Sequence, residues 1–420
     1  MVKVLVLTLG TRGDVQPFLE LARGLRAAGH DALVAAPHRF TALADGFGVP
    51  FTGVDDGPLR VMDDDRAGEV IEGGLRVRLR QMREMPGMFT KVLEDCWAVA
   101  MAGAPFDLVV HNGQIIAGQH VAEALGVPAV LGLPLPLYVP TSEFRWPGAP
   151  LPAGLPGALN RATYLGMKMP AVTFGGVVDK WREGTLGLPL RRGRHDPTLA
   201  VDGTAAPVLH AFSPAVIPRP ADWPESALTT GYWAGTGGTP LPARVEEFLA
   251  AGGGPPVSVG FGSMIGSDPA RLAEVVVEAA RRVGVRPILA AGWGALAGAT
   301  SADDVLVVDE IDYRGLFPRV AAVVHHGGAG TTGAAFTAGR PQVVCPFVAD
   351  QPFWGEVAHR RGVGAAPVPQ RRLTVDRLAA ALDVVVGNEV MARTARELGE
   401  RVRAEDGVGT AVAALERIVQ

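Results

Sequence analysis

Short apolar runs alternate along the first half of the chain with stretches whose apolar residues recur at helical spacing. The run KVLVLTL that starts at Lys3 is followed by PFLELARGLRAAG and then by DALVAAP, which predicts strand, helix and strand. The same alternation returns with DLVVHN, GQHVAEALG and PAVLGL, and it ends with PVLHAFS. Because parallel strands joined by helices form a sheet covered on both faces, the pattern predicts a doubly wound α/β domain.

The second half of the chain repeats this organisation after a stretch that is rich in proline and glycine. Between Phe212 and Pro242 these residues are dense enough to exclude a continuous helix, and such a composition is typical of a connection between domains. Strand-like and helical runs then alternate from PPVSVGFGS to PQVVCPF. We therefore predict Rossmann-like domains at residues 1–215 and 243–400, a linker at 216–242, and a helix at 401–420 that crosses back to the first domain.

The composition restricts the class of protein. The chain has 420 residues, 48% of them hydrophobic, and a net charge of -4, which argues against a nucleic-acid partner. Two cysteines, Cys96 and Cys345, are too few for a disulfide framework or a structural zinc site and favour a cytoplasmic location. Since there is no run of about 18 apolar residues, we expect no stable insertion into a membrane. The sequence leaves the oligomeric state open.

The most informative motif is HHGGAGTTGAAF, which follows a buried strand and precedes a helix. Its glycines at 327, 328 and 330 leave backbone N–H groups uncovered, and a helix that starts near Thr331 adds partial positive charge. The natural ligand of such a turn is an anion such as a diphosphate, with His326 as a further donor. The alternative is an ordinary glycine-rich turn with a helix cap. The spacing matches neither the P-loop nor the dinucleotide-binding fingerprint.

Two further polar groups follow predicted strands. Asp350 and Gln351, in PFVADQPFW, offer an acceptor and a donor suited to neighbouring sugar hydroxyls, although the same residues also occur in plain loop turns. Asp14, in TLGTRGDVQPFLELARGL, lies between the first strand and its helix, with Pro17 in the first helical turn. Asp14 is a candidate general base if it faces a cleft, and a helix cap if it does not.

Together these motifs resemble those of nucleotide-sugar glycosyltransferases of the GT-B fold, in particular the bacterial natural-product and sterol glycosyltransferases. The resemblance is carried by GTRGDVQPFLELARGLRAAGH, by FGSM at 261–264, and by the long block from EIDYRGLFPRV to WGEVAHRRGVG. It implies two Rossmann-like domains facing a central cleft, the first for the acceptor and the second for the sugar donor. It also implies a hexosyltransferase that inverts the configuration of the sugar and needs no metal ion or other cofactor.

The resemblance also assigns the donor, a UDP- or TDP-sugar, to particular residues. Asp350 and Gln351 would bind the sugar hydroxyls, and the backbone around Ile311 would meet the nucleobase. Trp293, in AAGWGAL, is placed in the same crevice, although a lone tryptophan is also common in cores and lids. The diphosphate would be held by backbone amides together with hydroxyl and imidazole donors, from Thr11, Ser263, His326, Gly328, Gly330 and Thr331.

The general base differs from that of the family's plant members. Where those members read G-H-V-x-P, with histidine as the base, this chain reads GDVQP and places Asp14 in that position. The aspartate that orients their histidine corresponds to Asn112, and a carboxylate base has no imidazole that such a partner would polarise. His111 is a reserve candidate for the base, or else a core residue at a strand end.

The acceptor is expected to bind the first domain, which is rich in methionine and aromatic residues between 75 and 169. Flexible thioethers and aromatic rings suit a large apolar acceptor such as a polyketide, macrolide, glycopeptide or sterol. Ordinary helix packing is the alternative for each single residue. The residues that we predict to contact the acceptor are Met82, Met85, Phe89, Asn112 and Phe144.

Other functions fit the same architecture. A nucleotide-sugar epimerase or hydrolase would need carboxylates near the sugar ring and no apolar acceptor pocket. A non-catalytic helper protein would keep the fold without the HGGAGTT and DQ motifs, both of which this chain retains. The aspartates at 63–65 form a nominal carboxylate cluster for a metal ion, but their polar surroundings predict a solvated turn, and we predict no metal site.

Overall fold

The computed structural model describes residues 1–57, 59, 75–191, 195–235, 237–262, 269–291, 296 and 298–420, and for residues 75–84, 170 and 269 it describes the backbone alone. Within these residues the chain forms two parallel sheets, each flanked by helices. The two doubly wound α/β sheets predicted from the alternation of apolar runs are therefore confirmed.

The first sheet is built from short strands, and all but the two edge strands are buried along nearly their whole length. They are β1 (Lys3–Leu7), β2 (Asp31–Pro37), β3 (Phe51–Val54), β4 (Leu108–Asn112), β5 (Ala129–Leu133), β6 (Val208–His210) and β7 (Ala227–Thr229). Their order across the sheet is β3-β2-β1-β4-β5-β6-β7, with every pairing parallel. Burial on both faces explains why β1 and β4 read as continuous apolar runs and not as an alternating pattern.

Helices cover both faces of this sheet. They are α1 (Arg12–Ala27), α2 (Thr41–Phe47), α3 (Leu75–Gly103), α4 (Gly118–Leu125), α5 (Gly157–Thr163) and α6 (Met169–Trp181). Because side chains alternate along a strand, Val4 and Val6 of β1 pack in the cluster that holds Phe18 of α1. Leu5 and Leu7 pack on the other face, in the cluster that includes α3 and α4. Helix α1, which carries Asp14, is thus fixed to the central strand of the sheet.

The second sheet repeats this design with fewer strands. They are β8 (Pro256–Gly260), β9 (Arg286–Ala290), β10 (Leu306–Val308), β11 (Ala322–His325) and β12 (Gln342–Val344), in the parallel order β10-β9-β8-β11-β12. The helices of this half are α7 (Ala243–Ala250), α8 (Pro269–Arg282), α9 (Tyr313–Leu316), α10 (Ala329–Ala338), α11 (Gln351–Arg360) and α12 (Val375–Gly387). Valines of β8, β11 and β12 form its core with α8 and α12.

The C-terminal helices are α13 (Glu389–Arg403) and α14 (Gly407–Val419), and they connect the two halves. Helix α13 packs on α10 of the second half, whereas α14 packs on α1 of the first. There Glu416 Oε1 lies 2.8 Å from His30 Nε2. A Cβ at Gly24 of α1 would lie 2.1 Å from a methyl group of Val408, so a glycine is needed for this close approach. No helix in the described part of the chain has the length and apolar character needed to span a bilayer.

The structure corrects the predicted linker at 216–242. Strand β7 lies inside that range and pairs with β6 in parallel, so it belongs to the first sheet. The prolines that suggested a connection lie outside the three-residue strand, the nearest being Pro224, and leave its N–H groups free to donate. The connection between the sheets therefore begins after β7, which a composition-based boundary could not detect because the strand is so short.

Candidate active site

Each sheet has a crevice where the strand order reverses. In the first sheet the reversal lies between β1 and β4, and in the second between β8 and β11. The loops after these strands leave on opposite sides, and ligands of doubly wound sheets bind between them. Asp14 and Asn112 lie at the first crevice, and His326 and Gly328 lie at the second.

Charges on the two halves act on each other across the space between these crevices. Burial, with a smaller contribution from the negative charge of Asp14, raises the pKa of Asp350 to about 6, against hydrogen bonds that lower it. Burial raises the pKa of Tyr313, while the positive charge of Arg12 lowers it. Arg314 Nη1 of α9 also lies 3.4 Å from Glu20 Oε1 of α1, so α1 and the loops of the second sheet border one cleft.

Asp14 both caps α1 and presents a carboxylate oxygen near the cleft. Its Oδ2 accepts hydrogen bonds from the backbone N–H of Thr11 at 2.8 Å and from the Thr11 hydroxyl at 3.0 Å. Its Oδ1 accepts one from Gln114 Nε2 at 2.8 Å. Burial raises the pKa of Asp14, while the bonds from Thr11 and Gln114 lower it. A raised pKa makes this aspartate a stronger base than an ordinary one.

The backbone around Asp14 is specialised for this position. Gly10 has φ +138°, and a Cβ there would lie 2.4 Å from Asp14 Oδ2, so the carboxylate is accommodated only beside a glycine. Helix α1 begins at Arg12, which places Pro17 inside the helix and not in its first turn as predicted. Since proline lacks an N–H, the helical bond to the Gly13 carbonyl is absent.

Asn112 and His111 are buried at the end of β4, which leaves Asn112 almost no surface for the predicted contact with an acceptor. Asn112 is 2% exposed; its Nδ2 donates to Leu9 O at 2.6 Å, and its Oδ1 accepts from the backbone N–H of Ile115 at 3.1 Å. Its amide therefore ties the loop after β4 to the loop after β1. His111 is equally buried, which lowers its pKa to about 4, and it belongs to the core and not to the group of candidate bases.

The N-terminus of α10 presents free backbone amides at the second crevice. The helix begins at Ala329, two residues before the predicted start, with Gly328 as the N-cap. Its first backbone hydrogen bond runs from Thr332 N to Gly328 O at 2.9 Å. The amides of Ala329, Gly330 and Thr331 therefore have no partner within the helix. Thr332 is buried with its hydroxyl donated to Gly328 O at 2.8 Å, whereas Thr331 is half-exposed.

The glycines of this turn serve different purposes. Gly327 has φ +94°, and a Cβ there would lie 2.7 Å from Val344, so the fold itself requires glycine. Its N–H donates to His325 Nδ1 at 3.0 Å, which corrects the prediction that this amide is uncovered. A Cβ at Gly330 would have no other atom within 4 Å, so no protein atom requires glycine there. A glycine in the first turn of this helix leaves room for a ligand to approach its backbone.

His326 lies beside these amides. A Cβ at Gly328 would lie 2.5 Å from its Nε2, and a Cβ at Gly262 would lie 3.0 Å from its Cε1, so two glycines make room for the ring. Burial lowers the pKa of His326 to about 4, against a smaller raising effect of the Gly260 backbone. The imidazole is therefore neutral in the free protein near neutral pH.

Asp350 and Gln351 lie at the start of α11, after the loop that follows β12, and each is held by the protein. Asp350 Oδ2 accepts from Trp354 Nε1 at 2.9 Å. Gln351 Oε1 accepts from the backbone N–H groups of Phe347 and Val348 at 2.7 and 3.1 Å. The turn between them includes Ala349 with φ +56°, a strained value for a residue other than glycine. These hydrogen bonds leave Oδ1 of Asp350 and the side-chain N–H groups of Gln351 for a ligand.

The other predicted donor residues are only partly described. Ile311 is half-buried in the cluster of β10, β11 and α9, directly before Asp312, which caps α9 through a bond from Arg314 N at 3.0 Å. Ser263 and Trp293 lie outside the described residues, as do the aspartates at 63–65. Their predicted roles stay predictions. Among the residues that are described, no group of three or more metal-binding side chains occurs.

The predicted acceptor residues other than Asn112 lie on two segments of the first half, helix α3 and the loop after β5. Phe89 of α3 packs against Phe174 of α6 with ring centroids 4.0 Å apart. Met85 also lies on α3 and is half-buried. Phe144 packs against Phe353 of α11 at 5.5 Å, so it joins the two halves at the rear of Asp350. The side chain of Met82 lies outside the described residues. Contact with an acceptor stays a prediction for each of them.

Several contacts of the site have no signal in the local sequence. Gln114 reaches Asp14 from a loop 100 residues further along the chain. Arg145 forms a two-pronged ion pair with Glu356 of α11, at 2.8 and 3.0 Å, and is 5% exposed. Its burial beside Phe144 fixes the orientation of α11, at whose start the sugar-binding pair is predicted. An arginine followed by a proline-rich loop gives no indication of a partner 211 residues away.

The buried histidines make stability depend on pH. His111, His210 and His325 are at most 2% exposed, and burial lowers their pKa values to about 4, 3 and 3. The unfolded chain therefore binds more protons than the folded one below about pH 6.5, and stability falls as the pH falls from there towards 4. Each histidine contributes up to about 1.4 kcal/mol per pH unit.

Urea unfolding at several pH values between neutrality and about pH 4.5 tests this prediction. We expect the free energy of unfolding to decrease steadily over this range. In His111→Leu the free energy of unfolding should change less steeply with pH, by about the contribution of one histidine. This holds whatever the absolute stability of the variant. An unchanged slope would show that His111 does not titrate in this window.

The chain matches known proteins over almost its whole length. Residues 4–139 match the glycosyltransferase family 28 N-terminal domain, and residues 292–416 match the erythromycin biosynthesis protein CIII-like C-terminal domain. O-mycaminosyltylonolide 6-deoxyallosyltransferase of Streptomyces fradiae is 36% identical, over 99% of this chain and 97% of its own length. Sterol 3-beta-glucosyltransferase of Cryptococcus neoformans is 33% identical over 99% of this chain. The chain spans only 27% to 30% of the length of the sterol glucosyltransferases that it matches.

Solved structures share the fold at low sequence identity. The kitacinnamycin glycotransferase superimposes with a TM-score of 0.74 and 19% identity, covering 100% of this chain and 99% of its own. The glycosyltransferase VinC, solved in complex with dTDP, gives a TM-score of 0.67 and 20% identity, covering 99% of both chains. The predicted GT-B arrangement of two facing Rossmann-like halves is confirmed by these structures.

Proposed function

Because this chain belongs to the GT-B glycosyltransferase family that includes its Streptomyces fradiae relative, we propose that it transfers a sugar from a UDP- or TDP-sugar to a hydroxyl group of a large apolar acceptor. The proposed reaction inverts the anomeric configuration and uses no metal ion. The acceptor class, a natural product or a sterol, is suggested by the relatives, which are named for O-mycaminosyltylonolide and for sterols.

One observation carries the proposal. A half-buried carboxylate of the first half, Asp14, faces a second half that presents free helix amides, an imidazole and the Asp350 carboxylate. A hydrolase of nucleotide sugars needs a base for water at this position, but it does not need an apolar surface such as that of Phe89 of α3 and Phe174 of α6 in the same half. The dTDP found in VinC, a neighbour of the same fold, supports a nucleoside diphosphate as the leaving group.

The reaction proposed is a single displacement. Asp14 Oδ1 accepts the proton of the acceptor hydroxyl while the acceptor oxygen forms a bond to the anomeric carbon. The bond between that carbon and the diphosphate oxygen breaks on the opposite face, and its electron pair leaves with the diphosphate. Attack and departure on opposite faces invert the configuration.

The free amides of α10 stabilise the charge that develops on the leaving diphosphate. Three N–H groups at the N-terminus, from residues 329–331, are fixed before the substrate binds, so no reorganisation is needed in the transition state. An anion beside His326 favours the protonated ring, which opposes the effect of burial. The helix end, with His326 as a further hydrogen-bond donor, takes the role for which other enzymes use a divalent cation.

The direct test is to incubate the protein with UDP- and TDP-sugars, with and without a macrolide aglycone or a sterol, and to measure released nucleoside diphosphate. We expect release only when an acceptor is present, together with a product of inverted anomeric configuration by NMR. Release without an acceptor would indicate a hydrolase, and a product of retained configuration would exclude the displacement by Asp14. No release under any condition would remove the proposed function.

A further inference from the structure

Gln114 is the side chain that joins the two loops of the first crevice at the carboxylate. Its Nε2 donates to Asp14 Oδ1 at 2.8 Å, while Thr11 occupies Oδ2. Gln114 therefore donates to the Asp14 carboxylate from a loop that is not part of the cap of α1. The two residues are far apart in sequence, and they meet because β1 and β4 are neighbours at the point where the strand order reverses.

Asn112 holds the backbone of Gln114 in place by hydrogen bonds. The buried Asn112 Oδ1 accepts from the N–H groups of Gln114 at 3.2 Å and Ile115 at 3.1 Å, which forms a tight turn. Its Nδ2 donates to Leu9 O at 2.6 Å, in the loop that leads to Asp14. One buried amide therefore fixes both loops relative to each other, and the exposed Gln114 side chain extends from a rigid base.

Tyr138 holds the same turn from the side of β5. Its hydroxyl donates to Gly113 O at 2.6 Å, and burial raises its pKa to about 12, so it stays a donor at any pH suitable for an assay. Tyr138 has φ +63°, which is unusual for a bulky residue and persists only where the surroundings enforce it. A Cβ at Gly113 would lie 2.4 Å from its ring, so this glycine makes the contact possible.

The chemistry of the contact fits an anionic base. A carboxylate accepts hydrogen bonds and has none to donate, so its orienting partner has to be a donor. A carboxamide N–H meets this need without adding charge, and it leaves a second lone pair on Oδ1 for the acceptor hydroxyl. A carboxylate in place of Gln114 would repel Asp14 and make it harder to ionise.

We propose that Gln114 is the positioning residue of the base: its amide holds Asp14 with Oδ1 towards the acceptor, and Asn112 and Tyr138 fix Gln114 in turn. The inference rests on the proposed function in so far as it needs Asp14 as the base. It adds a donor, supplied by a loop of β4, that keeps Asp14 ionised and oriented.

The test compares wild type with Gln114→Leu and Gln114→Glu in the pH profile of kcat/KM. Removal of one hydrogen bond to a carboxylate is expected to move the acidic limb up by about one pH unit in Gln114→Leu. Gln114→Glu should move it further, since a like charge is added. A structural defect alone would lower kcat/KM without shifting the acidic limb progressively from wild type to Gln114→Leu to Gln114→Glu. Tyr138→Phe should show a smaller shift in the same direction.

Gln16→Leu is the matched control. Gln16 is another glutamine close to Asp14 in the chain, but its Oε1 accepts from Arg12 Nε at 2.9 Å and its amide does not contact the carboxylate. The acidic limb of the kcat/KM profile of Gln16→Leu should coincide with that of wild type. An equal limb in wild type and both Gln114 variants would overturn the inference.

A second measurement needs no turnover. The carboxyl resonance of Asp14, labelled with ¹³C and assigned by its loss in Asp14→Asn, should titrate at higher pH in Gln114→Leu than in wild type. If Asp14 titrates at higher pH in Gln114→Leu while wild type transfers no sugar, the proposed function fails, but the effect of Gln114 on Asp14 is confirmed. If wild type transfers sugar and Asp14 titrates identically in both proteins, the inference fails by itself.

Discussion

Exchange of Asp14 for asparagine is expected to lower kcat about 10³-fold, the contribution of a positioned general base. Asparagine has nearly the same shape, and its Oδ1 can still accept from the N–H of Thr11, so the cap of α1 is kept. The carboxamide cannot take the proton of the acceptor hydroxyl. Affinity for dTDP should change little, because the free amides of α10 belong to the other half of the protein and Thr11 keeps its place in the cap of α1.

Asp376→Asn provides the matched control for this variant. Asp376 also lies in the first turn of a helix, α12, but it is 86% exposed and pairs with Arg282 away from the cleft. Its kcat should equal that of wild type. Steady-state kinetics of both variants, with calorimetric titration of dTDP, make the comparison. Wild-type turnover in Asp14→Asn would exclude Asp14 as the base.

Gly330→Leu is expected to weaken dTDP binding about 100-fold or more. A side chain at this position extends into open space at the N-terminus of α10 and keeps a diphosphate away from the amides. Loss of two hydrogen bonds to an ionised group accounts for a change of this size. The fold should not suffer, since leucine favours a helix by nearly 1 kcal/mol over glycine and no protein atom is near.

The control for this second variant is Gly46→Leu. Gly46 is a helical glycine of α2 that is exposed and has no atom within 4 Å of a Cβ position. Both variants should unfold at or above the wild-type temperature, and only Gly330→Leu should lose affinity for dTDP. Equal affinity in Gly330→Leu and wild type would mean that the diphosphate does not approach this helix end.

The elements of the fold are predictable because their signals are local. Buried parallel strands such as β1 and β4 are continuous apolar runs, and helices such as α8 show strong amphipathic spacing. Strand β7 escapes prediction because its three residues, which closely follow several prolines, carry no periodic signal. Helix α10 starts before Thr331 because Gly328, with extended backbone, serves as its cap, and a glycine has no side chain to mark a cap in the sequence.

The candidate site is predictable at the level of residues but not of contacts. The motif around His326 indicates an anion site, yet only backbone angles separate Gly327, which the fold requires, from Gly330, which it does not. Asn112 is expected at the acceptor because the sequence gives its position along β4 but not the direction of its side chain. The partnership of Gln114 with Asp14 depends on strand order, which no local pattern contains.

The central claim is that the N-terminus of α10 binds the diphosphate of the sugar donor. A crystal structure of the protein with dTDP tests it most directly. The account predicts diphosphate oxygens about 3 Å from the backbone nitrogens of residues 329–331, with the His326 ring beside them. A diphosphate bound elsewhere in the cleft, with these amides hydrogen-bonded only to water, would contradict it.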